Sequence, residues 1–529
     1  MREYRAGRRR TKKEPSTKLP DDGRQQIFIV NGEMPRMIEE VESAIIANDY
    51  EIYQRGDWIV RPATMADLPG DASARTPRII RVGVNYLTCE FTRCAQWLGW
   101  DARSDGWVQK DAPKKIAETY LEMLGKWRVR RLLGVINAPT LRPDGSVLNR
   151  PGYDTATAVI FDPDGVTFPE IPPHPTRQHA ITALGEFQQL LGTMEFDSQA
   201  SFAVALSLIL TALIRPSLVE APLHAISAPT PGSGKSMIVD IAHSIAFGRR
   251  VSVMKQGTDE NETEKTLAGC LLAGEPFVSI DNCERTLGGD LIAQALSQSS
   301  LKIRPFGGLN IVNVNQRTLF AATGNNLLLG GDLARRTLLA RLDPRCERPE
   351  LRKFRFDPLA VALANRGKYV VAALTILRAY HLAGRPADSV AHLAGFGDWS
   401  RWVRGAILWL GLADPCDSME AARSADPIIQ AATSVAEEWW TAFGDRRVSA
   451  ADIIAVAAMK SSLTGDFSNP EFREALLAVV GDHGAINGMR LGRWLGKHKD
   501  RIYKGFSFRL APERRGGTAL WRLTKVGAP

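Results

Sequence analysis

Residues 223–247, LHAISAPTPGSGKSMIVDIAHSIAF, constrain this chain more than any other segment. An apolar strand, expected over Leu223 to Ser227, runs through a glycine-rich turn into an apolar helix that starts near Lys235. Such a unit is built to hold ATP phosphates and Mg²⁺. Gly232 and Gly234 let successive backbone N–H groups turn toward the phosphates, where a side chain would block the close approach. Lys235 reaches the β- and γ-phosphates, and the Ser236 hydroxyl ligates Mg²⁺. The helix N-terminus adds partial positive charge. The contact run is Pro229, Thr230, Pro231, Gly232, Ser233, Gly234, Lys235, Ser236 and Met237. Pro229 stands where GxxxxGK[ST] has its first glycine, and the cradle itself begins at Gly232.

Two later strand ends carry matching chemistry. FVSIDN (277–282) closes on Asp281, an acid suited to hold the Mg²⁺ water shell. A glutamate usually follows that aspartate as general base, but here the position is Asn282. Glu284 is the nearest carboxylate, and Glu260 and Glu262 are expected in the loop after a strand at Val251 to Met254. TLFAATGNN (318–326) closes on Asn325 and Asn326, either of which can orient the attacking water as a glutamine does in GTPases. Beyond it lie Arg335 and Arg336, suited either to reach a neighbour's ATP site or to form a surface ion pair.

At 529 residues the chain has room for three or four domains. The expected division is a basic tail at 1–24, an N-terminal α/β domain at 25–170 and a helical linker at 171–215. An ATPase core follows at 216–345, then a helical lid at 346–427 and a helical, winged-helix-ending part at 428–529. The net charge of +9 favours an anionic partner, nucleic acid first. The tail carries Arg2, Arg5, Arg8, Arg9, Arg10, Lys12 and Lys13 and suits contact with nucleic acid irrespective of sequence; a nuclear localisation signal has the same composition. Six cysteines without any CxxC pair fit neither a zinc ribbon nor a disulfide framework. The apolar stretch Ala203–Ile214 is expected as a buried helix too short for a membrane, which takes about 20 residues. No apolar segment backs the N-terminal charges as a secretory signal would. The cytosol is the expected location, with no membrane partner.

Two segments are candidates for DNA contact. LKIRPFGGLNIVNVNQR (301–317) alternates on both sides of Phe306-Gly307-Gly308-Leu309, as a hairpin does. In a ring it would point into the pore, with Lys302 and Arg304 on phosphate and Phe306 stacked on a base. The C-terminal part reads helix, helix, β-hairpin, the second helix carrying Arg490, Arg493, Lys497, Lys499 and Arg501. That order suits duplex contact in a groove; a solvated basic helix in a protein-docking module reads the same way.

APTPGSGKS, IDN, ATGNN and DLARR…RLDPRCERPELRKF, with GVINAPTLRPDGSVLNRPGYD before them, together resemble the AAA+ ATPases. More narrowly, they are similar to superfamily 3-like replicative helicases of phages and mobile genetic elements, from about residue 120 onward. The resemblance implies an α/β P-loop NTPase (AAA+) core with a helical subdomain, an N-terminal α/β domain and a C-terminal winged helix. It assigns Lys235 and Ser236 to Walker A, Asp281 to Walker B, Asn325 or Asn326 to sensor 1, and Arg335 or Arg336 to an arginine finger. It implies ATP and Mg²⁺ as cofactors, a homo-oligomeric ring (usually a hexamer) and single-stranded or forked DNA as partner. No primase motif is found, and a separate primase stands among the candidate partners. Two other readings stay open: an initiator or remodelling ATPase that melts DNA without translocating, and a ring that binds ATP only to assemble.

Overall fold

Turn chemistry governs the first part of the chain. Strands β1 (Tyr53–Arg55) and β2 (Trp58–Ala66) pair as an antiparallel hairpin around Gly56-Asp57, the arrangement the sequence predicts. Gly56 takes φ +56°, a left-handed value that suits glycine. The computed structural model describes residues 22–66, 75–305, 310–352, 355–387, 390–420, 426–461 and 465–526. The basic residues of the tail and Phe306 lie outside them. A second N-terminal sheet is formed by Gln25–Ile29, Ala95–Asp101 and Gly106–Lys110. It packs on helices Met34–Ala47, Val84–Cys94 and Lys114–Leu121 around Ile27, Phe91, Trp97 and Tyr120.

Two helices follow, α1 (Arg177–Leu191) and α2 (Gln199–Ile214). Helix α2 is apolar on every side, as a helix inside a core is. With the turn behind it, over Gln199–Ser217, it is the one helix among the described residues long and apolar enough to cross a membrane. That corrects the length expected from Ala203–Ile214 alone. Most of this helix is buried inside the protein. Its polar groups are also used there: Ser207 meets His224 Nε2 at 2.9 Å, and Thr211 accepts from Trp399 Nε1 at 3.0 Å.

The next stretch builds the sheet that organises the molecule. In chain order come β3 (Leu223–Ala228), α3 (Lys235–Phe247), β4 (Val253–Lys255), α4 (Glu260–Ala273) and β5 (Phe277–Asp281). A short antiparallel pair, β6 (Ser300–Ile303) and β7 (Val312–Asn315), precedes β8 (Leu319–Asn325) and β9 (Thr337–Arg341). The five long-range strands are all parallel, in the order β4-β5-β8-β3-β9. The apolar runs of β5, β8, β3 and β9 are buried on both faces, as parallel strands require, while the edge strand β4 buries only Met254. One continuous apolar core reaches from Ala138 to Met419 and takes in α1, α2, this sheet and α5 (Arg366–Leu382).

Two boundaries differ from the sequence expectation. Strand β4 starts at Val253 rather than Val251, because the Val251 N–H is taken by the Asp240 carboxylate at 3.1 Å. Glu260 and Glu262 lie in the first turn of α4, not in a loop. Asp259 caps that helix by accepting from the Glu262 N–H at 2.9 Å.

The C-terminal part has its own core around Trp439, Phe472, Leu491 and Phe508. Helices Pro427–Phe443, Ala450–Ala458 and Pro470–Val480 lead to α6 (Gly488–His498), and a long hairpin, Phe506–Arg515 with Thr518–Lys525, closes the chain. Lys499 and Arg501, expected on α6, lie beyond its end. Asp500 at φ +63° reverses the chain there, into a short strand at Ile502–Tyr503.

Candidate functional site

Three neighbouring strands, β5, β8 and β3, end at the same sheet edge, where parallel α/β sheets place their ligands. Ala228, the last residue of β3, is in register with Asn325, the last of β8. The glycine-rich turn thus sits directly beside that asparagine. Gly232 at φ +73° and Gly234 at φ +94° both hold left-handed backbone. A Cβ on Gly232 would lie 3.0 Å from the Glu350 backbone nitrogen, and one on Gly234 would lie 3.1 Å from Met194 Sδ. The turn is braced from within, Ser233 Oγ donating to the Thr230 carbonyl at 2.7 Å. Pro229, Pro231 and Gly232 are exposed, and Met237 is half-buried.

Lys235 is buried, and its ammonium donates to Asn325 Oδ1 at 2.7 Å and to the Thr230 carbonyl at 3.1 Å. Burial lowers the Lys235 pKa below the usual lysine value, and the Asp281 charge opposes that shift. Next along α3, Ser236 Oγ donates to Asp281 Oδ1 at 2.9 Å. Lys235, Ser236, Asp281 and Asn325, read separately from three motifs, therefore form one cluster. Asn326 does not join it. That residue is exposed at φ +45°, and its backbone N–H donates to the Ala228 carbonyl at 2.9 Å.

Thr323 is the residue the motifs missed. Its hydroxyl donates to Asp281 Oδ1 at 2.5 Å and accepts from the Asn282 N–H at 3.1 Å, fixing both residues at the end of β5. The signal was available: a buried threonine interrupts the apolar run of β8, two residues before Asn325 and so on the same face. Asn282 itself stands at φ +51°, and its side-chain amide donates to Glu284 Oε1 at 3.2 Å. Glu284 is thereby linked to the cluster. Glu262 instead pairs with Lys265 on α4 at 2.5 Å.

The arginine pair lies apart, in the turn Gly331–Arg336. Both guanidinium groups bind Asp332, Arg336 at 2.6 Å, and Arg336 also donates to Ser297 Oγ at 2.6 Å. Burial works against an ionised Asp332, yet the two arginines hold its carboxyl below the usual range. On β6, Leu301 and Ile303 are buried while Lys302 is exposed on the other face, and Arg304, exposed as well, lies just past the strand's end. Arg490, Arg493 and Lys497 are exposed on α6, whose opposite face buries Leu491 and Leu495. Arg490 donates to the Gly481 carbonyl at 2.9 Å, and Lys499 lies 3.8 Å from Asp500.

A serine hydroxyl beside an aspartate carboxylate is an all-oxygen donor pair. That suits Mg²⁺, which takes one or two protein ligands and completes its shell with phosphate and water. Among the described residues no group of three or more His, Cys, Asp and Glu forms a self-contained metal site.

No protein-family model and no curated protein matches the chain. Similar solved structures include two described as the A form apo structure of the NrS-1 C-terminal region. One is 11% identical with a TM-score of 0.33, covering 84% of this chain and 99% of that one. The other is 10% identical with a TM-score of 0.37, covering 92% and 99%. A third, SCCmec type IV Cch, described as an active helicase, is 12% identical with a TM-score of 0.32, covering 88% and 94%. At these values the functional reading rests on the residues themselves.

Proposed function

We propose that this chain is an ATP-hydrolysing P-loop motor of the AAA+ type: a ring-forming DNA helicase that moves on single-stranded DNA in the replication of a phage or mobile element. The observation that carries this reading is the convergence of Lys235, Ser236, Asp281 and Asn325 at one sheet edge.

In that reading ATP phosphates take the place that the Thr230 carbonyl and Asn325 hold on the Lys235 ammonium. Ser236 and Asp281 hold Mg²⁺, which when bound neutralises charge on the β- and γ-phosphates. Asn325, released from Lys235, orients the attacking water, and Glu284 is the carboxylate nearest to accept its proton. Arg335 or Arg336 exchanges Asp332 for the γ-phosphate of a neighbouring subunit. Lys302 and Arg304 hold strand phosphates while Phe306 stacks on a base, and α6 with the hairpin after it meets duplex as a winged helix.

Asn282 favours one competing reading, a ring that uses ATP to assemble without turning it over. Strand displacement on a forked DNA separates the two. Wild type with ATP should displace the strand and release phosphate, while Lys235→Ala should do neither. ATP binding without phosphate release in wild type would leave only the assembly reading. Phosphate release without displacement would favour a remodelling ATPase.

A further inference from the structure

The tip of the N-terminal hairpin touches α4 and β7 through three consecutive residues, each using a different kind of contact. Arg55 is buried, and its guanidinium donates to the Leu271 and Leu272 carbonyls, at 3.0 Å each, in the last turn of α4. Carbonyls at a helix C-terminus carry partial negative charge, which a cation there offsets; of the two, the Leu271 carbonyl also accepts from the Gly274 N–H at 3.1 Å. Gly56 lies so close to β7 that a Cβ on it would be 1.9 Å from the Asn313 carbonyl oxygen. The Asp57 carboxylate accepts from the Asn313 backbone N–H at 2.8 Å and from its side-chain amide at 3.1 Å. Asn313 is the residue paired with Lys302 across the β6–β7 ladder.

A two-stranded ribbon is marginal by itself. Here its outer strand is held by a glycine that permits close approach and a carboxylate that accepts the exposed N–H. Neither the motifs nor the nucleotide site require these interactions.

We infer that Arg55-Gly56-Asp57 is a positioning clip, which fixes the β6–β7 ribbon and the C-terminal end of α4 in one register and so sets where Lys302 stands. The clip deepens the helicase reading, since Lys302 is its strand-gripping residue there. It joins that ribbon to a helix whose other end, at Glu260 and Glu262, begins just past β4. Asp57 and Gly56 are positioning residues and touch no nucleotide.

Hydrogen exchange on the full-length protein tests the clip without assuming any activity. In Asp57→Ala, amides of residues 310–317 should exchange at least about tenfold faster, since the carboxylate's bonds to both the Asn313 backbone N–H and its side-chain amide are lost. Residues 277–281 should not change. Asp57→Asn keeps an acceptor and should restore most of the protection. Gly56→Ala, which forces a methyl against Asn313, should loosen the same segment and serves if Asp57→Ala folds poorly. In the same Asp57→Ala protein, basal ATP turnover should stay within about twofold of wild type, while stimulation by oligo-dT should fall at least fivefold. Unchanged exchange at 310–317 in both variants overturns the clip. Faster exchange with unaltered stimulation overturns its role in setting the grip. If wild type shows no stimulation at all, the helicase reading fails, and the exchange data alone decide for or against the clip.

Discussion

The sheet edge proposed to hold nucleotide and the surfaces proposed to meet DNA handle charge in opposite ways. At the sheet edge every polar side chain of the cluster already has a protein partner: Lys235 has Asn325, Ser236 has Asp281, and Thr323 ties Asp281 to Asn282. On β6 and α6, Lys302, Arg493 and Lys497 stand exposed on surfaces whose reverse faces are apolar. A site whose members position one another fails as a unit when one is removed. A surface that works by summed charge loses function in small, salt-dependent steps. The two regions should therefore give mutational effects of different size and different character.

The largest effect is expected where, in the proposed ring, charge crosses between subunits. Arg335 is the better candidate for that role, because its side chain is 55% exposed against 17% for Arg336, which Ser297 also holds. Arg335→Ala should bind ATP normally and lose about 10³–10⁵ in turnover, the range for an arginine finger. Arg336→Ala should lose less. Mixing Arg335→Ala with Lys235→Ala should restore some turnover, since mixed rings contain intact composite sites. Absence of any recovery, with mixing verified, would assign the arginine to its own subunit and leave the ring without support.

Thr323 tests whether the sheet edge is one unit. Thr323→Val keeps the shape but removes the hydroxyl, leaving the Asn282 N–H unpaired and Asp281 held by Ser236 alone. A buried group left without its partner costs about 1–3 kcal/mol, and turnover should fall roughly 10- to 100-fold as the carboxylate drifts. Thr323→Ser should behave as wild type. Equal activity in Val and Ser variants would mean that the tether does not set the metal ligand.

The glycine-rich turn, the hairpins and the strand-end residue Asp281 are legible in sequence because each announces itself locally. Glycines at left-handed positions, alternation and a polar residue closing an apolar strand need no tertiary knowledge. What sequence left out depends on interactions between distant segments. Thr323 matters because β8 lies next to β5, a neighbour relation that only the strand order supplies. Arg55 and Asp57 looked like ordinary hairpin residues, yet they meet partners more than 200 positions away. Lys499 and Arg501 were misplaced because a left-handed aspartate, Asp500, ended the helix where glycine or proline gave no warning. Asn325 and Asn326 were equivalent in sequence; the register against Ala228 separated them.

The ribbon should show the intermediate case. Replacing Lys302 and Arg304 together with alanine should spare basal ATP hydrolysis and remove most of its stimulation by single-stranded DNA. The log–log salt slope of single-strand binding should flatten by about 0.7 for each phosphate that is no longer held. A double variant that unwinds forks as wild type does would take the ribbon out of the motor and leave strand gripping to other surfaces.

The smallest effects are expected on α6, and their form matters more than their size. Arg493 and Lys497 project from the exposed face, one turn apart, while Leu491 and Leu495 hold the helix in its own core. Arg490 is partly engaged by the Gly481 carbonyl and by Asp482 at 3.5 Å, so less of its charge is available to a phosphate. Arg493→Ala and Lys497→Ala should each weaken duplex binding severalfold near 0.1 M salt. Each should also reduce the log–log salt slope by about 0.9, the value for one phosphate on B-form DNA. Arg490→Ala should reduce it by less. Since neither the core of this region nor the nucleotide edge contains these side chains, thermal stability and basal ATP turnover should not move. Lys235→Ala, conversely, should leave the duplex salt slope untouched. If Arg493→Ala and Lys497→Ala leave the slope unchanged while affinity for a protein partner falls, α6 belongs to a docking module. The contrast between the two regions would then lie between a nucleotide site and a protein-binding surface, with the ribbon as the remaining link to DNA.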